Sequence, residues 1–152
     1  EHAQNSFISS TFWTERSGPA AAIKTLDIME KTKSWEVITR IGQDIQKNWK
    51  IIAERNNLNI QVSGIPALSS FTIVSENWLK YKTFITQEML KRNFLASNAI
   101  FVSVKHNKKV LDRYFNILDE LFKKISNFEN KKELIDEKLD GPVCHGGFQR
   151  LN

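Results

Sequence analysis

Apolar positions along this chain change their period several times, and each change predicts an element. Between residues 19 and 31, Ile23, Leu26 and Met29 recur at helical spacing, which predicts a helix. Gly18-Pro19 followed by Ala20, Ala21 and Ala22 suits its start, because proline fits a first turn and alanine is the best helix former. Ser17, Glu15 and Thr14 all qualify as its cap. Thr32-Lys33-Ser34 breaks the pattern, and Ser34 caps a second helix. Here Trp35, Ile38, Ile41, Ile45, Trp49 and Ile52 recur in steps of three and four, giving one apolar stripe that ends near Arg55. Asn56-Asn57 closes it.

The period then drops to two. Leu58 to Ser63 alternates apolar and polar side chains, as a half-buried strand does. Gly64-Ile65-Pro66 is the expected turn, and Leu68 to Val74 the returning strand, with Phe71 and Ile73 on one face and Ser70 and Thr72 on the other. The two strands read as an antiparallel pair. Glu76 to Arg92 predicts a helix whose buried side is Trp78, Tyr81, Phe84, Ile85, Met89 and Leu90. Phe94-Leu95 opens an irregular connection, and the apolar run Ile100 to Val104 can pair with the earlier strands.

From Asn107 the helical period returns in its most regular form, through Val110, Leu111, Tyr114, Phe115, Leu118, Leu121, Phe122 and Ile125. A core-facing helix explains that stripe better than a coiled coil. Lys131 to Lys138 predicts a short charged helix in which Ile135 has little to bury, and residues 141–150, with three glycines and a proline, a loop that gains order only by docking. Helices, hairpin, helix, strand and helix in this order predict an α+β fold. It is a small two-layer domain with a mainly antiparallel three- to four-stranded sheet and helices on one face.

At 152 residues and 41% hydrophobic, the chain can build a real core, and its four Trp and ten Phe enlarge it or serve an interface. The formal charge of +5 is modest. Its lysines, such as Lys105, Lys108, Lys109, Lys123 and Lys124, alternate with Asp112, Asp119 and Glu120. That is the pattern of a solvated face, so no nucleic-acid partner is expected. The apolar stretches are too short to span a bilayer, so no membrane partner is expected either. A single cysteine, Cys144, excludes an intrachain disulfide and suits a reducing, cytoplasmic compartment. The chain begins at Glu1 rather than Met, as a truncated or cleaved product would.

Chemistry is sparse. Cys144-His145 has no second ligand pair, so no metal site is expected. His2 and His106 belong to no triad, and His106-Asn107 stands where a turn or cap is the default. Gly146-Gly147 lacks the lysine and helix of a phosphate loop. Nothing marks a lysine as a Schiff-base former, and Lys24 and Lys105 read as solvated. What remains is Ser9, Ser10 and Thr11, just before a helix, where hydroxyls and free amides can bind an anion or merely make turns.

At Ser10-Thr11-Phe12-Trp13-Thr14-Glu15-Arg16 and the alanine-rich helix that follows, the chain resembles class III pyridoxal-phosphate (PLP)-dependent aminotransferases. Within them it is most similar to glutamate-1-semialdehyde 2,1-aminomutase and its sugar-pathway relatives. Ser103-Val104-Lys105-His106 matches the family's Ser-x-x-His signature, and the helix from 107 its last major helix. The family's Asn-Pro after Thr-Phe is replaced by Glu15-Arg16, which implies a changed turn near the dimer interface.

The resemblance implies the C-terminal domain of a fold type I PLP enzyme. Residues 1–33 would be an interface segment and helix from the large domain, 34–140 the small C-terminal α+β domain, and 141–152 a glycine-rich tail. The parent would be a homodimer that transfers amino groups to or from small molecules, glutamate-1-semialdehyde or a related carbonyl among them. Thr11, with Ser10 beside it, would bind the cofactor phosphate. Arg16 would make a surface or inter-subunit salt bridge. The cofactor lysine lies upstream in the family, so this chain alone is expected to be inactive and to hold no PLP. The alternative is a non-catalytic interaction module of the same fold. Apolar area separates the two, because a fragment should leave Trp13, Trp35 or Trp49 uncovered and a module should not.

Overall fold

Phe71 lies where one strand meets three helices, and its ring organises the second of the chain's two units. The computed structural model describes residues 15–131 and 133–147. The chain divides into the units Glu1–Ser34 and Trp35–Asn152.

The first unit contributes α1 (Ser17–Thr32). No side chain caps it: Arg16 holds the N-cap position, and Ser17, already helical, donates its hydroxyl to Glu15 instead. It ends at Lys33, whose φ of 45° is left-handed and whose N–H returns to the carbonyls of Met29 and Glu30. None of its residues is buried.

The second unit follows in the order α2 (Ser34–Arg55), β1 (Ile60–Ile65), β2 (Leu68–Ile73), α3 (Trp78–Lys91), β3 (Ala99–Phe101), α4 (Lys108–Glu129) and a 3-10 turn (Ile135–Lys138). The three strands form an antiparallel sheet in the order β1-β2-β3. The ring of Phe71, in central β2, lies 5.0 Å from Trp49 of α2, 5.5 Å from Phe122 of α4 and 6.3 Å from Trp78 of α3. The α+β architecture, with its helices on one face, is therefore as the periodicity predicts. Among the described residues no helix is long and apolar enough to cross a membrane.

Boundaries move for local reasons. The first strand begins at Ile60, not Leu58, because Asn57 takes a left-handed φ of 54° and Leu58 donates its N–H back to Ala53 at 2.9 Å. Leu58 thus completes the C-cap of α2 and buries its side chain there. Asn93 and Phe94 repeat this cap on α3, with Phe94 N–H bonded to Met89 at 2.9 Å.

The hairpin turn is Pro66-Ala67 rather than Gly64-Ile65-Pro66. Gly64 stays in the ladder opposite Ser69, at a φ of 88° that excludes a side chain. Pro66 is fixed from above, since a Cβ on Gly42 of α2 would lie 1.9 Å from its carbonyl oxygen. Beside that contact, Gln46 Nε2 donates to Ser69 Oγ at 2.8 Å, and Ser69 Oγ donates to the Ile65 carbonyl at 3.0 Å.

Four packing expectations fail. Leu90 is exposed because it stands about 100° around α3 from buried Met89. Glu88 turns inward instead, its side chain only 13% exposed between Lys91 and Arg92. Burial alone would raise its carboxyl, but the hydrogen bond and charge of Lys91 outweigh that and hold it below the usual range. Trp35 and Val110 lie on their stripes but in the first turns of α2 and α4, and both are exposed there. The charged helix at 131–138 shrinks to its 3-10 turn, and Ile135 is buried in the core rather than idle. The last strand stops at Phe101, three residues short of Val104, where the turn at Ser103 begins.

Candidate functional site

Ser10 and Thr11, together with Ser9, His2 and Trp13, lie outside the described residues. The other chemistry-bearing residues are described, and of these Ser103 and His106 lie beside the end of β3.

The Ser103–His106 signature is a closed turn. His106 N–H donates to the Ser103 carbonyl at 3.1 Å, Ser103 N–H donates to His106 Nδ1 at 3.1 Å, and Lys105 N–H donates to Ser103 Oγ at 3.2 Å. With Nδ1 accepting, the ring proton of the neutral imidazole sits on Nε2. Asn107 then caps α4, its Oδ1 accepting from Val110 N–H at 3.1 Å. Serine and histidine here build a turn, as the sequence suggests for His106-Asn107. The hydrogen bonds that join them run through the backbone of Ser103.

Next to this turn is a half-open cavity of about 280 Å³, walled by Phe94, Ile100, Phe101, His106, Leu111 and Tyr114. Of its lining side chains, His106 and Tyr114 are polar. The Tyr114 hydroxyl accepts from Trp49 Nε1 at 3.0 Å, and burial raises its pKa well above that of a free phenol, so it holds its proton. Arg113 lies over Phe94, 5.0 Å from the ring centre, and donates to the Arg92 carbonyl at 2.7 Å. Leu95, 97% exposed, and Phe101, 76% exposed, stand at the mouth.

Phe101 also belongs to a second feature. The face of the sheet away from the helices carries Ile65, Leu68 and Phe101 side by side, since Ile65 pairs with Leu68 and Leu68 with Phe101 across the ladder. All three are exposed. The next row down, Ser63, Ser70 and Ala99, is small and polar, with Ser63 Oγ and Ser70 Oγ 3.0 Å apart. Sequence reasoning missed this row, because Ile65 was read as turn and Phe101 as one residue of a longer strand. The pairing register, once known, puts all three on one face.

Elsewhere the side chains are spoken for or solvated. Cys144 is half-buried and its N–H donates to Thr83 Oγ1 at 2.9 Å, while His145 is exposed. Among the described residues no cluster of three or more His, Cys, Asp or Glu could hold a metal. Tyr81 is buried with its hydroxyl closing no hydrogen bond, and burial with the nearby Glu129 charge pushes it up to about 12. No described lysine is buried, and Lys24 and Lys105 are exposed. The described residues therefore offer neither a desolvated amine nor an anion cradle, and do not fit PLP by themselves. Of the three tryptophans that separate fragment from module, Trp49 is buried and Trp35 is 45% exposed.

No family model matches the chain. It is 26% identical over 105 residues to a 3-aminobutyryl-CoA aminotransferase of Cloacimonas acidaminovorans (strain Evry), covering 69% of this chain and 23% of that protein. Its fold is similar to that of the FumI protein of Sphingopyxis sp. MTA144, solved in its PLP internal aldimine form. The TM-score is 0.70 at 18% identity, over 84% of this chain and 31% of that one. The chain thus spans less than a third of either protein, and over most of its length it shares the fold of part of the PLP-bound FumI protein.

Proposed function

We propose that this chain is the small-domain part of a class III PLP-dependent aminotransferase, and that the whole protein transfers amino groups between small molecules. The observation that carries the reading is the fold shared, over most of this chain, with under a third of a PLP enzyme. Two features of the chain support it. Ile23 and Leu26 project from one side of α1 and Ile28 from the other, all exposed, which is the pattern of a helix covered on more than one side. The row Ile65, Leu68 and Phe101 is likewise bare, as a surface meant for contact is.

On this reading residues 1–33 belong with the large domain, 34–140 form the small domain and 141–152 the tail. PLP, bound elsewhere in the parent, would supply the electron sink. Thr11 would donate its hydroxyl and backbone N–H to the cofactor phosphate, with Ser10 beside it. Two such chains would form a homodimer in the cytoplasm. The substrate is a small carbonyl compound or its amine, glutamate-1-semialdehyde being the finer proposal from the resemblance.

The test is Thr11→Ala in the whole protein. A phosphate ligand predicts about a tenfold or larger loss of PLP affinity, measured by titrating the cofactor's visible absorbance, with thermal stability unchanged. Unchanged affinity would remove Thr11 from the site.

The alternative, a non-catalytic module, is favoured by one observation. The unit Trp35–Asn152 has a continuous core of its own, from Ile45 to Ile135. An upstream cofactor lysine in the mature protein decides between the two.

A further inference from the structure

We propose that residues 139–147 are a detachable strap, which opens from α3 and closes on it as one unit while the core stays folded. The segment runs back along α3 on three successive turns of the helix. Gln87 holds its start from both ends of one amide: Nε2 donates to the Lys138 carbonyl at 2.6 Å, and Oε1 accepts from Asp140 N–H at 3.0 Å. Lys91 adds an ion pair with Asp140 at 2.7 Å. One turn further toward the helix start, Thr83 Oγ1 accepts from Cys144 N–H at 2.9 Å. Another turn on, Leu79 lies 3.4 Å from where a Cβ on Gly146 would be.

The firmest of these attachments run from α3 side chains to the strap; Cys144 Sγ adds a long contact to the Leu79 carbonyl at 3.6 Å, and no backbone ladder joins the two among the described residues. Among the described residues beyond Leu139, Cys144 is half-buried, Val143 is 37% exposed and the rest are open. Gly141, Pro142, Gly146 and Gly147 give the segment little apolar area to bury and, at the proline, no amide to donate. Ile135, just before it, is buried in the core and stays as the anchor. A segment held by few bonds and little burial opens far more often than the domain unfolds. Opening bares the Leu79–Thr83–Gln87 stripe of α3.

Labelling of Cys144 by a thiol reagent, read on its own peptide by mass spectrometry, reports the strap directly. The measurement is the labelling rate of the folded chain against urea concentration, for the native sequence and for Gln87→Ala. The strap predicts labelling well below that of the unfolded chain and flat in urea up to the unfolding transition, because local opening exposes little surface. Gln87→Ala touches no atom of Cys144, yet should raise that flat rate about tenfold, since loosening one end frees the whole unit. Three results overturn the proposal. Labelling that climbs with urea in step with unfolding would make the segment part of the core. Labelling at the unfolded rate would mean it is not held. A rate indifferent to Gln87→Ala would mean the two attachments are independent.

Discussion

Helices α1 and α4 both carry isoleucine, leucine and helical spacing, yet one buries nothing and the other supplies seven buried residues. The difference is where their apolar residues point. In α4, Tyr114, Leu118, Leu121, Phe122 and Ile125 share one face, so a single sheet and two neighbouring helices satisfy it. In α1, Ile23 and Leu26 oppose Ile28, and no single surface can cover both sides. A one-sided stripe can be satisfied within one small domain, whereas a two-sided helix calls for more protein than its own unit. This is why the unit around Phe71 has a finished core, while α1 and the Ile65–Leu68–Phe101 row are bare.

The contrast breaks most easily at Phe71. Phe71→Ala removes the ring against which Trp49, Trp78 and Phe122 pack, and should cost about 3–5 kcal/mol in urea unfolding. Gly42→Ala comes next. Alanine would ordinarily favour a helix interior, but its Cβ would meet the Pro66 carbonyl oxygen at 1.9 Å, so α2 must move off the hairpin. A loss of about 1–3 kcal/mol is expected, where the opposite sign would mean that the turn yields freely.

A smaller effect is expected at Glu88. Its folded pKa is lowered from 4.5, so its stabilising contribution is complete above that value and is lost as pH falls through the folded pKa. Glu88→Gln should flatten the acid limb of stability against pH below about 4.5, and an unchanged limb would deny the carboxylate its role. The smallest effect belongs to α1: Leu26→Ala should change the stability of the isolated chain by about 0.5 kcal/mol or less. A loss comparable to that at Phe71 would show that α1 is part of the core after all.

Much of the fold was legible because strong periodicity survives tertiary context. The stripes of α2 and α4 and the alternation around Phe71 predict their elements and the helix-covered face correctly. What escaped depends on chain segments distant in sequence. Nothing local says that Gly42 is where a helix crosses Pro66. The hairpin was misplaced by one step because Gly64-Ile65-Pro66 has turn composition, while Gly64 is needed inside the ladder. His106-Asn107 is legible as a turn and cap from its place before a helix, whereas Ser103 and Val104 belong by pattern to a strand that ends at Phe101. The neighbouring cavity was not legible, since Phe94, Ile100 and Tyr114 meet only after β3 pairs with β2.

If this chain is one part of a PLP enzyme, as proposed, its cofactor lysine lies upstream. Borohydride reduction of the protein purified from its natural source, followed by peptide mapping, tests it most directly. The claim predicts a pyridoxyl group on a lysine in a peptide preceding Thr11 by a few tens of residues. A protein that begins at Glu1 and carries no reduced cofactor would contradict it, and would leave a folded module with two uncovered surfaces.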